Sequence, residues 1–485
     1  MSDPATQTLP TQNDANVSAP SVSVGPHLFL VLAGHRPLIE PGRHSLAGLD
    51  VVIIGRGERG VQRFTADGKR HLRLSVPDPW MSSSHVRLTN ILGQWKVEDE
   101  QSRNGTFVNG LPVAAAALSE GDVLELGHTF FVYQAAVATL REDPDDEVAL
   151  PRLSHIRGLT TLSPALAREF GVLAQMARSN VSIIIRGESG TGKELIARAL
   201  HALSERPGSF VAINCGALPE ALVESEFFGH RRGAFSGAVE DRPGLLRSAD
   251  RGTLLLDEIG DLPAHAQVAL LRALQERQVQ PIGATRPISV DIRLCAATHR
   301  DLDRLAGEGV FRPDLLARIS GSTLRLPPLR ERRQDLGIII GDLLHRLVGT
   351  RAEQISFTKE AVRAILGYPW PLNIRELEKC LERAVALATD NLIRPEYLFE
   401  SSAGTTPRPF VPESAQGGGA WPTPPSTASP EPMDAKDRQR REELLALTIA
   451  HRGNVSSMAR ALGKERHQIR RWLRRYQIDP EDYRG

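Results

Sequence analysis

VSIIIRGESGTGKELIARAL, residues 181–200, is the most informative segment of this 485-residue chain. An apolar strand, VSIII, runs into the loop Gly187-Glu188-Ser189-Gly190-Thr191-Gly192-Lys193, and a helix, ELIARAL, follows. Strand, loop and helix in this order are the setting of a P-loop. The glycines let backbone N–H groups converge on phosphate oxygens, and the helix N-terminus adds a favourable potential. Lys193 would reach the β- and γ-phosphates.

A second acidic motif lies further along the chain. Thr253-Leu254-Leu255-Leu256-Asp257-Glu258 is an apolar strand that ends in two carboxylates. Asp257 would hold Mg²⁺ through water, and Glu258 would orient the attacking water. The alternative is a strand that runs into a solvated acidic turn, which the preceding P-loop disfavours. Glu194 stands where the general P-loop motif has a serine or threonine for magnesium, so a generic nucleoside triphosphatase is a weaker interpretation.

Composition sets limits on the rest of the chain. With 41% apolar and 24% charged residues, 485 residues predict a soluble protein of two to four domains. The formal net charge of +1 gives no global field towards nucleic acid or membrane. No apolar run is long enough for a membrane span, and residues 1–25 resemble a disordered tail rather than a signal peptide. Three scattered cysteines fit a reducing cytosol, so we expect a cytoplasmic protein.

Composition also divides the chain into segments. Residues 26–136 contain short alternating segments between Gly, Asn, Asp and Ser clusters, which predicts a β-sandwich, and 137–155 are an acidic linker. In residues 156–400, continuous apolar strands alternate with helical patterns, which predicts a parallel sheet covered by helices. Residues 401–435 are a Pro-, Gly- and Ser-rich flexible linker.

Residues 436–485 are helical and basic. Asn454 is a good N-cap for a first helix, Gly463 ends it, and a second helix follows, which is a helix-turn-helix pattern. A basic solvated helix hairpin is the alternative. The candidate DNA-binding side chains lie on the second helix: Arg466, His467, Gln468, Arg470, Arg471 and Arg474.

Several motifs in order resemble one family. GESGTGKE, ESEFFGHRRGAFSGA, GTLLLDEIGDLP, IRLCAATHRDL, FRPDLLARI and WPLNIRELE are similar to those of the bacterial AAA+ activators of sigma-54 RNA polymerase. The helix-turn-helix resembles the Fis type that ends these activators. The resemblance implies an ATPase that converts the closed polymerase complex to an open one.

The resemblance also implies roles for single residues. Asn214 looks like a switch residue that holds Glu258 away from productive geometry, and Thr298 and His299 lie in the sensor I segment. Arg312 and Arg318 resemble the arginine fingers, which reach a neighbouring subunit. Arg375 looks like the sensor II arginine. A surface salt bridge is the alternative for each arginine. The nucleotide-binding residues would then be Gly187, Glu188, Ser189, Gly190, Thr191, Gly192, Lys193, Glu194 and Arg375.

One loop resembles the family's contact with sigma-54. Gly233-Ala234-Phe235-Ser236-Gly237-Ala238 is similar to GAFTGA, with serine in place of threonine. Glycines at both ends would let the loop protrude, and Phe235 supplies apolar contact area. A solvated surface loop is the alternative.

The N-terminal segment resembles a phosphothreonine-binding FHA domain. The resemblance rests on the order Gly55-Arg56, Ser82-Ser83-Ser84-His85 and Asn104-Gly105-Thr106, followed by Asn109-Gly110. Arg56 and Ser82 would donate to phosphate. Asn104 looks like the residue that contacts the peptide main chain, Arg103 is a weaker phosphate candidate, and His85 would be structural. A sandwich whose NG turns are plain hairpin turns is the alternative.

These inferences predict a multidomain protein: an all-β FHA sandwich, an α/β AAA+ P-loop ATPase with a helical lid, and an all-α helix-turn-helix. The expected cofactors are ATP and Mg²⁺. The expected partners are sigma-54 RNA polymerase, double-stranded DNA upstream of promoters, a phosphothreonine protein or Ser/Thr kinase, and other copies in a ring whose hexameric size comes from the resemblance. Two rival hypotheses are a repressor or scaffold with an inactive ATPase, and an AAA+ remodeller of a different protein.

Overall fold

The structure is a computed structural model of the 485-residue chain that describes residues 22–148, 158–235, 237–399 and 451. Ser236, the predicted linker 401–435 and all the predicted DNA-binding side chains lie outside the described residues. Among the described residues, no helix has the length and apolar character needed to cross a membrane.

Residues 22–148 form an all-β domain. Its strands are β1 (Val22–Ala33), β2 (Gly42–Ser45), β3 (Val51–Arg56), β4 (Gly60–Ala66), β5 (Lys69–Val76), β6 (Val86–Ile91), β7 (Gln94–Asp99), β8 (Thr106–Val108), β9 (Leu111–Val113), β10 (Ala115–Ala117), β11 (Val123–Leu126), β12 (Thr129–Leu140) and β13 (Asp146–Val148). They make a seven-stranded sheet in the order β13-β2-β1-β12-β11-β8-β9 and a six-stranded sheet in the order β10-β7-β6-β3-β5-β4. Their facing sides bury Leu28, Leu30, Trp95 and Phe131, which confirms the predicted β-sandwich.

The sandwich extends past the boundaries expected from composition. Val22 pairs with Leu140 across β1 and β12, and β13 pairs with β2 inside the segment assigned to the 137–155 linker. Asp146 explains the last pairing, because its carboxylate accepts from buried His44 at 2.8 Å and from Arg63 at 2.6 Å. Charged pairs at an edge strand leave no apolar pattern, so the sequence showed only an acidic stretch.

Residues 158–325 form an α/β domain. Its elements are α1 (Pro164–Met176), β14 (Ile183–Arg186), α2 (Lys193–Ser204), β15 (Phe210–Asn214), α3 (Val223–Phe228), α4 (Leu245–Ser248), β16 (Thr253–Asp257), α5 (Ala264–Glu276), β17 (Gln278–Val279), β18 (Ile288–Ser289), β19 (Arg293–Thr298), α6 (Leu302–Gly307), α7 (Pro313–Ile319) and β20 (Ser322–Arg325). Five strands make a parallel sheet in the order β15-β16-β19-β14-β20, as the continuous apolar runs predict. Parallel strands end at one edge, so Asn214, Asp257, Thr298 and the loop after Arg186 converge there.

A helical lid follows the sheet. Its elements are α8 (Leu336–Val348), β21 (Ser356–Phe357), α9 (Lys359–Gly367), α10 (Asn373–Leu387), β22 (Leu392–Ile393) and α11 (Pro395–Leu398). The side chain of Thr358 caps α9 by accepting from the N–H of Ala361. α10 buries Leu377, Leu381 and Ala384 at helical spacing, which fixes it in the lid core.

The lid packs on the β-sandwich. Strands β1 and β12 point one set of side chains into the sandwich core and the alternate set outwards. The outward side chains Phe29, Val31, Phe130 and Val132 share one buried cluster with Leu336, Ile340 and other lid residues. The sandwich and the lid therefore share a continuous apolar core.

Candidate functional site

The P-loop leaves β14 and enters α2, as its sequence predicts. Gly190 has a φ of +77°, and a Cβ there would lie 2.1 Å from the carbonyl oxygen of Leu372 in the lid. Gly192 begins the helix with a φ of +100°. Side chains at these two positions would be strained, and at Gly190 one would push the lid away from the loop.

Lys193 and Glu258 meet at the start of α2. The Lys193 amine lies in a buried position and donates to the carbonyl oxygens of Gly187 (2.9 Å) and Glu188 (3.2 Å). It also lies 3.4 Å from a carboxylate oxygen of Glu258. Its present partners are two main-chain carbonyls and one carboxylate, all oxygen acceptors of the kind that phosphate oxygens could replace.

The second carboxylate oxygen of Glu258 pairs with His299. The His299 Nδ1 lies 2.7 Å from it and the His299 N–H donates at 3.3 Å. Burial opposes ionisation of Glu258, but the bond from His299 and the charge of Lys193 together lower the pKa of its carboxyl. Glu258 is thus held ionised and directed towards the loop.

Asn214 does not hold Glu258 in this structure. Its side-chain oxygen accepts from the N–H of Gly216 at 3.0 Å and caps the turn that follows β15. Glu258 contacts His299 and Lys193 instead. The expected Asn214–Glu258 pairing, in which the amide nitrogen would donate, is not formed in this structure, and the switch role of Asn214 stays a prediction.

Asp257 lies beside Glu258 at the end of β16. Burial and the neighbouring charge of Glu258 raise the pKa of Asp257. A divalent cation would relieve both effects, and Mg²⁺ in nucleotide sites usually takes one or two carboxylates, substrate phosphates and water. Glu194, in the position of the usual hydroxyl, pairs instead with Arg198 at 2.6 Å. The residues present therefore fit a water-mediated ion on Asp257.

The lid supplies polar contacts to the P-loop that the motif alone did not predict. Arg330 makes a bidentate pair with Glu188 at 2.7 and 2.9 Å. Arg332 is buried and donates to the carbonyl of Thr191 at 2.8 Å. Arg375, the predicted sensor II residue, donates to the hydroxyl of Ser189 at 3.0 Å.

Asn373 joins these contacts in a fully buried position. Its amide donates to Glu188 (3.1 Å) and to the carbonyl of Ser189 (3.0 Å), and its oxygen accepts from the N–H of Leu329 (2.8 Å). Sequence reasoning missed Arg330, Arg332 and Asn373. The segments LPPLRERRQDL, residues 326–336, and WPLNIRELE, residues 370–378, contain them and were the available signal.

A cavity of about 110 Å³ opens between the P-loop helix and the lid. Aliphatic side chains line it, among them Leu195, Ile338, Ile339 and Ile374. An apolar slot beside a phosphate-binding loop suits the flat faces of a nucleotide base.

The predicted arginine fingers lie away from this cluster. Arg312 pairs with Asp314 at 2.6 Å, and Arg318 donates to the carbonyl of Leu274 at 2.9 Å. Both residues are exposed to solvent.

The GAFSGA segment forms a closed loop between α3 and α4. Gly233 and Gly237 have φ values of +82° and +108°, and the N–H of Gly233 donates to the carbonyl of Ala238 at 2.8 Å. Phe235 is 40% exposed and packs edge-on against His230. A Cβ at Gly283, between β17 and β18, would lie 2.9 Å from the Cβ of Ala234, so the loop lies close to that turn. The loop therefore presents an aromatic ring, as predicted, while Ser236 lies outside the described residues.

The predicted phosphothreonine-binding residues converge at one end of the sandwich. The N–H of Arg56 donates to the Ser82 carbonyl (2.8 Å), and the Ser82 hydroxyl accepts from the N–H of Arg103 (3.1 Å). Asn104 donates to the carbonyl of Trp80 at 2.6 Å. Buried His85 accepts from the N–H of Ser82 and lies 3.1 Å from the carbonyl of Gly105, so it holds the two loops together, as expected.

The NG pair plays a different part. Asn109 and Gly110, with φ values of +51° and +80°, form the turn between β8 and β9. The Asn109 side chain bonds to Asp122 (2.8 Å) and to the N–H of Val123 (2.9 Å). The pair therefore forms the hairpin turn, and the Asn109 side chain also ties that turn to the start of β11.

Comparison with known proteins agrees with this geometry. The models that match are the Sigma-54 interaction domain over residues 159–325, the AAA+ ATPase lid domain over 330–413 and the FHA domain over 52–127. The transcriptional regulatory protein GlrR of Escherichia coli K12 is 38% identical over 328 residues, or 67% of this chain and 69% of GlrR. The DNA-binding transcriptional regulator NtrC of Azospirillum brasilense is 40% identical over 337 residues, or 67% of this chain and 70% of NtrC.

A solved structure with similar coverage is NtrX of Brucella abortus in complex with ATP. It is 28% identical, covers 66% of this chain and 69% of that chain, and has a TM-score of 0.45. The identity and coverage of GlrR and NtrC, together with the matching models, assign the family: the chain belongs to the sigma-54-dependent transcriptional regulators, with an AAA+ ATPase domain, its lid and an N-terminal FHA domain.

Proposed function

We propose that this regulator hydrolyses ATP with Mg²⁺ in a homo-oligomeric ring and uses the cycle to open promoters held by sigma-54 RNA polymerase. The observation that carries the proposal is the pairing of Glu258 with His299 (2.7 Å) at the mouth of the P-loop, beside Lys193. This arrangement places an ionised carboxylate where a water could be oriented towards a bound γ-phosphate.

Each residue of the cluster has a distinct task in this proposal. Lys193 and the P-loop N–H groups bind the β- and γ-phosphates, and Glu258 orients the attacking water while His299 fixes its carboxylate. Asp257 would hold Mg²⁺ through water, and the ion would neutralise charge on the phosphates. Arg312 and Arg318 would complete the site of the adjacent subunit, which is why hydrolysis needs a ring, hexameric by family resemblance.

Hydrolysis and promoter opening by the purified protein test this function. Lys193→Ala should lose nucleotide binding, whereas Glu258→Gln should bind ATP and fail to hydrolyse it. Full hydrolysis by Glu258→Gln would remove Glu258 from its role. An intact ATPase that never forms open complexes on a sigma-54 promoter would favour a remodeller of another protein, and a wild type without hydrolysis would favour a scaffold or repressor.

The GAFSGA loop is the proposed contact with sigma-54. Ser236 keeps the hydroxyl of the usual threonine and lacks its methyl group, which is worth at most about 1 kcal/mol of apolar burial. Ser236→Ala should therefore weaken sigma-54 binding and open-complex formation and leave ATP hydrolysis largely intact. Binding is measured with the protein trapped by a transition-state analogue of hydrolysis. Unchanged binding by Ser236→Ala would remove that hydroxyl from the interface.

The FHA domain is the proposed input, and its ligand is a phosphothreonine segment of a partner or a Ser/Thr kinase. Arg56 ends β3, and Ser82 and Asn104 lie on the two neighbouring loops that His85 holds together. Arg56→Ala should lower affinity roughly 10- to 150-fold, because a charge-assisted hydrogen bond contributes about 1.5–3 kcal/mol. Calorimetry that shows equal binding of phosphorylated and unphosphorylated peptides would end this proposal.

Residues 436–485 are proposed to bind double-stranded DNA upstream of promoters through a Fis-type helix-turn-helix. Neutralising Arg470 and Arg471 should weaken binding and reduce its dependence on salt, because each phosphate contact releases counterions. Affinity of the full chain for duplex DNA, measured across salt concentrations, checks this. Unchanged affinity and salt slope would remove both arginines from the DNA contact.

A further inference from the structure

The outer face of the seven-stranded sheet is built to be covered. Phe29, Val31, Phe130 and Val132 are at most 2% exposed, and all four point away from the sandwich core. Without the lid they would form a contiguous apolar patch of a kind that soluble domains rarely expose.

The backbones of the two domains also approach closely. A Cβ at Gly337, in the first turn of α8, would lie 1.8 Å from the carbonyl oxygen of Val31. The N–H of Phe357 in β21 donates to the carbonyl of Gly34 at 2.7 Å. Contacts at this distance leave no room for the two domains to slide past one another.

A buried ion pair fixes the orientation of the interface. Glu125 of the sandwich is 1% exposed, and Arg363 of α9 binds it in bidentate fashion at 2.5 and 2.8 Å. Lys359 lies 3.6 Å from the same carboxylate. Both cations also lie over the ring of Phe107, at 5.2 Å for Arg363 and 5.5 Å for Lys359. Phe107 follows the Asn104-Gly105 loop on β8, so the ion pair adjoins the predicted phosphothreonine site.

A second set of contacts joins that loop to the lid. Asn104 donates to the carbonyl of Trp80, whose ring stacks on His128 with centroids 3.9 Å apart and planes at 7°. The carbonyl of His128 accepts from the N–H of Gly34 at 2.7 Å, and Gly34 in turn accepts from Phe357 of the lid. The loop that would grip a phosphopeptide thus connects to β21 through four consecutive contacts.

The far side of the lid holds the P-loop. Arg330, Arg332 and Asn373 bind Glu188, the Thr191 carbonyl and the Ser189 carbonyl, respectively. A displacement of the lid therefore changes the loop that binds phosphate. The lid thus contacts the P-loop directly and reaches the predicted phosphothreonine site through Phe107 and Gly34.

We propose that the FHA domain and the lid move as one body, so that a phosphothreonine ligand at Arg56 and Asn104 and a nucleotide at the P-loop change each other's affinity. The ligand in this proposal rests on the proposed function of the FHA domain. The new element is the route by which that ligand affects the nucleotide site. Coupling between two sites is reciprocal and typically changes affinity by about 5- to 150-fold.

The experiment uses the full chain, ADP and a degenerate peptide pool with a central phosphothreonine, with the threonine pool as control. Calorimetry gives the ADP affinity with and without the pool. We expect wild type to show at least about a 5-fold difference. Glu125→Gln and Arg363→Gln should keep both ligands and lose the difference. Glu382→Gln, which breaks the exposed Lys379–Glu382 pair of α10, is the matched control and should behave as wild type. Equal ADP affinities in wild type with the peptide bound would overturn the proposal.

Hydrogen–deuterium exchange separates this inference from the phosphothreonine assignment, since it needs no peptide. ADP should change exchange at the Ser82 and Asn104 loops in wild type and leave it unchanged in Glu125→Gln. If the pool fails to bind but ADP still alters those loops, the ligand assignment fails and the coupling stands. If ADP leaves them unaltered in wild type, the coupling fails.

Discussion

Replacement of Asn373 by alanine should open the contact between lid and P-loop. The side chain is fully buried and makes three hydrogen bonds, two of them to Leu329 N–H and the Ser189 carbonyl. Its truncation leaves those two main-chain groups without a partner, at about 1–3 kcal/mol each. Asn373 also has a φ of +57°, a conformation that costs alanine about 1 kcal/mol more than asparagine. The closed lid should therefore lose about 3–7 kcal/mol relative to an open one.

The assay is ADP affinity by calorimetry, together with the thermal midpoint of unfolding. We expect at least a tenfold loss of affinity, because the lid completes the base cavity. Asn373→Gly removes the same hydrogen bonds and relieves the backbone strain, so it should recover only the smaller part of the loss. Asn391→Ala is the matched control, since Asn391 has a φ of +59° and bonds Arg351 elsewhere in the lid.

Two results would refute this reasoning. Full recovery of ADP affinity in Asn373→Gly would show that backbone conformation, rather than the hydrogen bonds, accounts for the effect. An equal loss in Asn391→Ala would show that any destabilised lid binds nucleotide poorly, and the contact to the P-loop would need no special role.

Three further predictions follow from other contacts. His299→Ala should bind ATP as wild type does but hydrolyse it roughly 10- to 150-fold more slowly, because Glu258 loses a charge-assisted hydrogen bond of about 1.5–3 kcal/mol. Unchanged turnover would show that Glu258 does not need the hydrogen bond from His299. Arg312→Ala should bind ATP and fail to hydrolyse it, and activity should return in part on mixing with Lys193→Ala; full activity alone would exclude an intersubunit role. Burial opposes ionisation of Asp146, but bonds from His44 and Arg63 lower its pKa to about 2. Its contribution to unfolding free energy, about 1 kcal/mol after discount for solvent screening, should therefore be complete above its ordinary pKa of 3.8 and disappear as pH falls towards 2. Asp146→Asn should then differ from wild type in urea unfolding near neutral pH, and a difference that persists at pH 2 would contradict the assignment.

Much of the ATPase could be predicted because its signals are local. The P-loop glycines, Lys193 and the carboxylates after β16 each follow an apolar strand, and parallel strands end at one edge. Any chain with those segments in order places Lys193 beside Glu258. The pairing of Glu258 with His299 was not predicted, because two residues from different strand ends can meet in more than one way. The local bond of Asn214 was not predicted either, since its amide oxygen accepts from the N–H of Gly216 two residues away.

The contacts of the lid could not be predicted from periodicity. HLFLVL, residues 27–32, is apolar at nearly every position, and such a strand must be covered on both faces. That pattern predicts that a second layer covers the strand, but it does not identify the lid as that layer. The sequence VLELG, residues 123–127, likewise gives no signal that its glutamate is buried against an arginine more than two hundred residues later.

The FHA domain in this chain also forms part of the packing of the ATPase lid. A domain joined only by a linker needs one apolar face, the one between its sheets. This sandwich has two, and the second fits a lid whose other side grips the P-loop through Arg330 and Asn373. Removing the FHA domain would expose Leu336 and Ile340 of the lid and would leave Arg363 without its partner Glu125. The lid of this ATPase therefore depends on the FHA domain for its packing. In the proposed coupling, this dependence is the physical means by which a ligand at Arg56 would affect nucleotide binding at Lys193.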